Sequence, residues 1–209
     1  MKTLALLARK GGAGKTTLAV HLAVIAAQSG LRVLLVDTDP QRSTAAWWRS
    51  RSAATPELVE CEANQLPDVL AAARADGIEL VVTDSRPSVE ADTATVARLS
   101  DFVLIPTRPT ILDLRAIGAT VEVVQAVNGR GAIVMNGVLA GRDGEESPQA
   151  AEAREALAAY GIEVAPVAVA NRVALGHALV DGRAVTEFDP AGKASAEMQA
   201  LFRFVMEKL

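Results

Sequence analysis

The sequence is poor in cysteine and in aromatic residues. Its 209 residues include one cysteine, Cys61, which excludes an intramolecular disulfide and a multi-cysteine metal or iron–sulfur site. Only 3% of the residues are aromatic although 50% are hydrophobic, so the core must be packed from alanine, valine, leucine and isoleucine. That composition is typical of buried parallel strands covered by helices, and it favours an α/β fold.

Basic charge and long apolar runs are also lacking. The net charge of −4 argues against a dedicated nucleic-acid-binding domain, so any affinity for DNA requires a local basic patch. No apolar run reaches the ~18 residues needed to cross a bilayer, and residues 1–8 leave no room for a signal peptide. The sequence therefore predicts a cytoplasmic protein with a single domain over residues 1–209.

Short aliphatic runs alternate with helix-patterned segments along the chain. This order predicts a doubly wound, mostly parallel sheet with helices on both faces. Strands are expected at 3–8, 32–36, 79–83, 102–105, 132–135 and 164–167, with an edge strand at 58–61. Helices are expected at 16–29, 43–52, 67–76, 93–99, 112–127, 148–160, 173–180 and 194–208. Residues 141–147 are polar enough to form an exposed loop.

A glycine-rich turn joins the first predicted strand to the first predicted helix. It reads Lys10-Gly11-Gly12-Ala13-Gly14-Lys15-Thr16-Thr17, which has the glycine, lysine and threonine pattern of a phosphate-binding loop. Glycines let successive backbone N–H groups close around phosphate oxygens, and the helix N-terminus adds its dipole. Lys15 supplies a point charge, and the Thr16 hydroxyl can bind Mg²⁺. The turn therefore predicts a Mg-dependent nucleoside triphosphate site.

Acidic residues follow two further predicted strands. Asp37 and Asp39 lie just beyond the strand at 32–36, in the run D-T-D-P-Q, and Asp84 follows the strand at 79–83. Ligands of open α/β sheets bind at the carboxyl ends of the strands, where these side chains are expected to meet the phosphate loop. Asp84 can hold Mg²⁺ through the water shell that this ion retains.

These motifs together resemble the ParA/MinD family of P-loop ATPases. Arg9 stands where the usual P-loop motif has glycine, and Lys10 is similar to the signature lysine of the family's deviant Walker A box. The D-T-D-P-Q run resembles the family's D-x-D-P-Q box, and D-F-V-L-I-P at 101–106, followed by Asp113-Leu114, resembles another family segment. The resemblance extends from residue 2 to roughly residue 190, and it implies the P-loop NTPase fold.

The resemblance also implies roles for individual residues, with ATP and Mg²⁺ as cofactors. Lys15 would contact phosphates in its own subunit, whereas Lys10 would reach the nucleotide of a partner in an ATP-dependent homodimer. Asp39 would act on the attacking water. The implied metal residues are Thr16, Asp37 and Asp84. The implied nucleotide-binding residues are Lys10, Gly11, Gly12, Ala13, Gly14, Lys15, Thr16, Thr17, Asn136 and Pro166.

The implied function is that of a small ParA-like ATPase without an N-terminal DNA-binding domain. Such an enzyme partitions plasmid or chromosomal DNA or positions cellular cargo, and its weak hydrolysis is stimulated by a ParB-like or adaptor partner. Nonspecific DNA binding and nucleoid association would use basic residues in the last quarter of the chain, namely Arg172, Arg183, Lys193 and Arg203. The expected helix at 194–208 has a narrow apolar stripe of Met198, Leu201, Phe202 and Val205, which favours core packing over membrane binding.

Two alternatives remain open at this point. One is a biosynthetic P-loop ligase or kinase of the dethiobiotin synthetase type, against which Lys10 and the D-T-D-P-Q run argue. The other is a nucleotide-gated scaffold or filament protein. Arg86 departs from the D-x-P-P pattern that is more usual in the family after Asp84, and we interpret it as a solvated surface charge.

Overall fold

A parallel β-sheet forms the centre of the molecule. The computed structural model describes residues 1–86, 90–141 and 146–209. The strands are β1 (Lys2–Leu6), β2 (Val33–Asp37), β3 (Glu57–Glu60), β4 (Leu80–Asp84), β5 (Phe102–Thr107), β6 (Gly131–Val138), β7 (Glu163–Val164) and β8 (Val169–Ala170). Their order is β3-β2-β4-β1-β5-β6-β7, with β8 paired to β6. The recorded pairings among the described residues are all parallel, as predicted.

Helices cover both faces of this sheet. They are α1 (Lys15–Gln28), α2 (Ser43–Ser50), α3 (Leu66–Ala75), α4 (Glu90–Arg98), α5 (Ile111–Ala126), α6 (Pro148–Ala158), α7 (Val173–Val180), α8 (Val185–Phe188) and α9 (Lys193–Lys208). Because successive strand residues point to opposite faces, Leu4 packs with α1 and α9 while Ala5 packs with α3 to α6. The predicted α/β, doubly wound architecture is confirmed.

The last strands and the short helix α8 differ from the sequence prediction. A single strand is expected at 164–167, but β7 ends at Val164 and pairing to β6 resumes only at Val169. Pro166 has no N–H to donate to a ladder, which explains the break. α8 is one turn long and lacks a periodic pattern, so the sequence does not predict it. It is fixed by Glu187, which accepts a hydrogen bond from the Ala184 N–H at 2.8 Å.

The C-terminal helix α9 packs against α1 and the sheet. Met198, Leu201 and Val205 are buried as predicted. The fourth predicted residue, Phe202, is only half-buried, and Phe204 is buried instead. The Phe204 ring meets Phe102 of β5 edge to face, with centroids 6.3 Å apart. Among the described residues, none of the helices has both the length and the apolar character needed to cross a membrane.

Candidate nucleotide-binding site

The turn between β1 and α1 is shaped to receive an anion. Gly12 and Gly14 have φ angles of 76° and 97°, in the left-handed region that glycine adopts without a steric penalty. α1 begins at Lys15 with no side-chain cap on its N-terminus and no acidic residue in its first turn. The first N–H groups of this helix, with the positive end of its dipole, are therefore available to phosphate oxygens.

Asn136 of β6 lies directly against this loop. Its Nδ2 donates a hydrogen bond of 2.8 Å to the carbonyl of Ala13. A Cβ atom on residue 14 would lie 2.0 Å from the same nitrogen, so a residue other than glycine cannot stand there without displacing Asn136. The structure thus brings Asn136 to the loop, while its implied role in nucleotide binding stays a prediction.

Lys15 is almost enclosed by the loop, with 6% of its surface exposed. Its Nζ donates to the carbonyl of Ala8 at 3.2 Å. Burial lowers the pKa of Lys15, and the nearby carboxylates of Asp84 and Asp39 oppose that shift. An ammonium group has three donors, so two of them remain for phosphate oxygens.

Asp84, at the end of β4, is a fully buried acid of the site. Its Oδ2 accepts hydrogen bonds from the hydroxyls of Thr16 and Thr44, both at 2.6 Å. Its Oδ1 is buried and has no hydrogen-bond partner among the described residues. Burial raises the pKa of Asp84 to about 6, although the two hydroxyls act in the opposite direction. No sequence motif marks Thr44, which lies in the first turn of α2.

Thr16 and Asp84 fit a magnesium site. Hydroxyl and carboxylate oxygens are ligands that Mg²⁺ accepts, and the unpartnered Oδ1 of Asp84 requires a cation or a water molecule. No group of three or more His, Cys, Asp and Glu side chains able to hold a metal occurs in the described part of the chain.

Asp37 fits the metal less well than the sequence suggests. Its Oδ1 accepts from the Asp39 N–H and its Oδ2 from the Ala45 N–H, both at 3.0 Å, and the residue is fully buried. Burial raises the pKa of Asp37, whereas these two backbone donors lower it. The carboxylate therefore holds the turn between β2 and α2 in shape, and its metal role stays a prediction that this geometry does not support.

Asp39 faces a cavity of about 820 Å³ above the loop. The predicted site residues that line this cavity are Gly12, Gly14, Lys15, Thr16, Thr17, Asp39 and Asn136. One carboxylate oxygen of Asp39 accepts from the Gln41 N–H at 2.9 Å, and the other accepts no hydrogen bond from the described residues. That second oxygen is available to orient a water molecule.

Lys10 lies outside this cavity, on the same edge of the sheet. Its Nζ is 2.7 Å from Oδ1 of Asp113 on α5, and 43% of its side chain is exposed. Burial acts to raise the pKa of Asp113, but hydrogen bonds from Lys10 and Thr110 keep that pKa below its usual value. Ala13 and Lys10 line a small crevice next to Asp113, and Gly11 is exposed beside them.

Two other predicted positions lie elsewhere. Pro166 lines a neighbouring cavity of about 840 Å³, which shares Leu139, Ala170 and Arg172 with the first. Arg86 is not the solvated charge that we expected, because its guanidinium pairs with Asp92 of α4 and its buried Nε has no described partner. Pro87 and residues 142–145 of the expected polar loop lie outside the described residues.

Exposed apolar side chains lie on the cavity lining or next in sequence to it, and no motif of the sequence marks them. Leu139, which lines the cavity, is 64% exposed, and Val173 is 70% exposed. Ile111 and Leu112, which follow the cavity residue Thr110, are 69% and 71% exposed. Large apolar side chains this exposed beside a polar cavity are typical of a surface that another molecule covers.

A family model described as the CobQ/CobB/MinD/ParA nucleotide binding domain matches residues 4–185. Two curated relatives are each named maintenance of carboxysome distribution protein A. The one from Gloeobacter kilaueensis is 34% identical over 210 residues, covering 100% of this chain and 94% of its own. The one from Halothiobacillus neapolitanus is 30% identical over 208 residues, covering 93% of this chain and 91% of its own.

The fold matches a solved structure over its whole length. Apo McdA from Cyanothece superimposes with a TM-score of 0.79, covering 100% of this chain and 99% of that chain. The sequences are 18% identical, so this likeness shows the fold alone. The predicted P-loop NTPase fold is thereby confirmed.

Proposed function

The chain belongs to the CobQ/CobB/MinD/ParA nucleotide-binding domain family, and from this premise we propose that it is an ATP-driven switch that positions cargo. Residues 1–209 would act as one domain that binds Mg-ATP, dimerises and then hydrolyses the nucleotide. One observation carries the proposal: the phosphate loop and Asp39 line one cavity, and Asp84 lies beneath it, hydrogen-bonded to Thr16 of the lining, while Lys10 lies on the same edge but outside the cavity. That arrangement suits a site completed by a second subunit.

Hydrolysis in such a site depends on positioning and on charge. When bound, Mg²⁺ would neutralise charge on the terminal phosphates, held from the protein side by Thr16 and Asp84. Lys15 would donate to phosphate oxygens from within the loop. Asp39 would orient the attacking water through the oxygen that Gln41 leaves free. We expect a slow turnover that a partner stimulates, as the resemblance to the ParA/MinD family implies.

Self-association is supported by four exposed apolar side chains that lie on the cavity lining or next in sequence to it, namely Ile111, Leu112, Leu139 and Val173. Two copies that meet through these side chains would cover both cavities and would bring each Lys10 towards the nucleotide of its partner. Such a contact is symmetric, so each interaction would occur twice in the dimer.

The names of the relatives bear on the cargo. Two proteins that align over more than nine-tenths of their own length are named for carboxysome distribution. We therefore favour the positioning of a cellular body, with partition of plasmid or chromosomal DNA as the second candidate. Either role requires an adaptor or a ParB-like partner that recognises the cargo and stimulates hydrolysis.

The dimer would bind nonspecific DNA and so associate with the nucleoid, along which it would position the cargo. Of the four basic residues expected to bind it, Arg172 and Arg183 are paired with acids of this chain, at 2.6 and 2.7 Å. Lys193 and Arg203 are exposed and make no ion pair among the described residues. A dimer would present each of them twice, which supports weak binding that falls steeply with salt.

Steady-state hydrolysis of Mg-ATP, measured with and without DNA, tests the proposal. The wild type should turn over ATP slowly, and Asp39→Ala should bind ATP with unchanged affinity but hydrolyse it at least tenfold more slowly, a loss of about 1.4 kcal/mol or more in transition-state stabilisation. Asp76→Ala, an exposed acid at the end of α3, is the matched control. Assembly on ATP without any hydrolysis would instead favour a scaffold.

A further inference from the structure

Arg108 is a cation at the phosphate loop that no motif of the sequence marks. It follows β5, which pairs in parallel with β1, and β1 leads into the loop. Pro109 restricts the backbone of the preceding residue to extended conformations, because its ring would clash with a helical one. The chain therefore leaves the sheet at Arg108 in a defined direction, before Thr110 caps α5.

The side chain of Arg108 lies across the cavity. Its Cγ and Nε are 3.8 and 4.0 Å from the place that a Cβ would occupy at Gly137, and its Nη2 is 4.0 Å from the corresponding place at Gly12. Arg108 thus extends from the end of β6 to the glycines of the phosphate loop. It lines the 820 Å³ cavity together with Lys15 and Asp39.

Three cationic residues line this cavity, and they differ in their partners. Arg172 is paired with Glu197 at 2.6 Å, and Lys15 donates to the carbonyl of Ala8. The guanidinium of Arg108 makes neither an ion pair nor a hydrogen bond with any residue that the structure describes, and its charge acts through space on Asp113, whose pKa it helps to lower. A guanidinium presents its donors as a planar fork that matches two phosphate oxygens.

We propose that Arg108 binds the phosphate chain of the nucleotide held by its own subunit. The inference rests on the proposed nucleotide function and adds a residue to it. Since Arg108 approaches Gly12 of the same chain, its contact would form in the monomer. Lys10 differs in this respect, because its role would require a second subunit.

Equilibrium binding of Mg-ADP and of a non-hydrolysable Mg-ATP analogue tests the assignment. Arg108→Ala should bind both nucleotides about 10- to 100-fold more weakly, the range expected for loss of a charge-assisted hydrogen bond. Arg108→Lys should recover part of the affinity, because it keeps the charge but not the fork. Arg115→Ala is the matched control, since Arg115 is exposed on α5 and does not line the cavity.

The thermal midpoint of each nucleotide-free variant separates binding from folding. An unchanged midpoint with weakened binding supports the assignment. If Arg108→Ala binds both nucleotides within about twofold of the wild type, the assignment of Arg108 is overturned. If Lys15→Ala loses affinity in the same experiment, the proposed ATPase function still stands. A lowered midpoint in both Arg108 variants, without recovery by lysine, would show a structural role instead. A wild type that binds neither nucleotide would contradict both proposals.

Discussion

Replacement of Lys10 by alanine should separate folding from self-association. The ion pair of Lys10 with Asp113 is 2.7 Å long, but 43% of the lysine side chain is exposed. The Asp113 side chain is only 9% exposed, and removing one partner of a buried polar group costs roughly 1–3 kcal/mol, so Lys10→Ala should lower the free energy of unfolding by roughly 1–3 kcal/mol. Loss of a desolvated charged contact across an interface costs roughly 2–5 kcal/mol, and a symmetric dimer would lose two. The dimer dissociation constant should therefore rise by about 10³-fold or more.

Light scattering with a non-hydrolysable ATP analogue measures this loss, alongside nucleotide binding by the monomer. Arg9→Ala is the control, because Arg9 is the adjacent exposed cation and its described hydrogen bond is made by the backbone N–H. It should dimerise like the wild type. Dimers of Lys10→Ala as abundant as those of the wild type would refute a role for Lys10 in the partner's site.

Two further predictions concern the loop and a buried histidine. Gly14→Ala should abolish nucleotide binding, because the new Cβ would lie 2.0 Å from the side-chain amide nitrogen of Asn136 on β6. Gly30→Ala should retain nucleotide binding, because no neighbour lies within 4 Å of its Cβ, and calorimetry should show only the loss of stability caused by its φ of 90°. Burial lowers the pKa of His21 from 6.5 to about 4, so the unfolded chain binds more protons between these values and stability falls as the pH drops. Between pH 6.5 and 5, denaturant titrations should show that the wild type loses about 1–2 kcal/mol more free energy of unfolding than His21→Gln does, and equal losses would contradict this pKa. The raised pKa of Asp84 has the opposite effect on stability, but both proteins contain Asp84, so its contribution cancels in the comparison.

The phosphate loop could be predicted from the sequence because the residues that determine its conformation are adjacent in the chain. Glycines at 12 and 14 permit the left-handed turn, and Lys15 with Thr16 follows at the start of a helix, so adjacent residues define the whole loop. The sheet is predictable for a similar reason, since buried parallel strands are continuous aliphatic runs bounded by helices.

The partners of individual side chains could not be predicted, since they come from distant parts of the chain. Thr44 joins Thr16 on Asp84 only because β2 and β4 are neighbours in the sheet. Asp37 lies at the end of β2 in the acidic motif as expected, but the backbone N–H of Ala45, near the N-terminus of α2, donates to its second carboxylate oxygen. Arg108 belongs to no motif and meets the loop through the pairing of β5 with β1. Such contacts depend on topology, which local patterns do not encode.

The mass of the Asp39→Ala variant in solution, with Mg-ATP and with Mg-ADP, tests the central claim most directly. Slow hydrolysis should preserve the ATP-bound state during the measurement. We expect twice the 21.8 kDa mass of one chain with ATP and the mass of a single chain with ADP. An identical mass with both nucleotides would contradict the claim that ATP controls the association of two subunits.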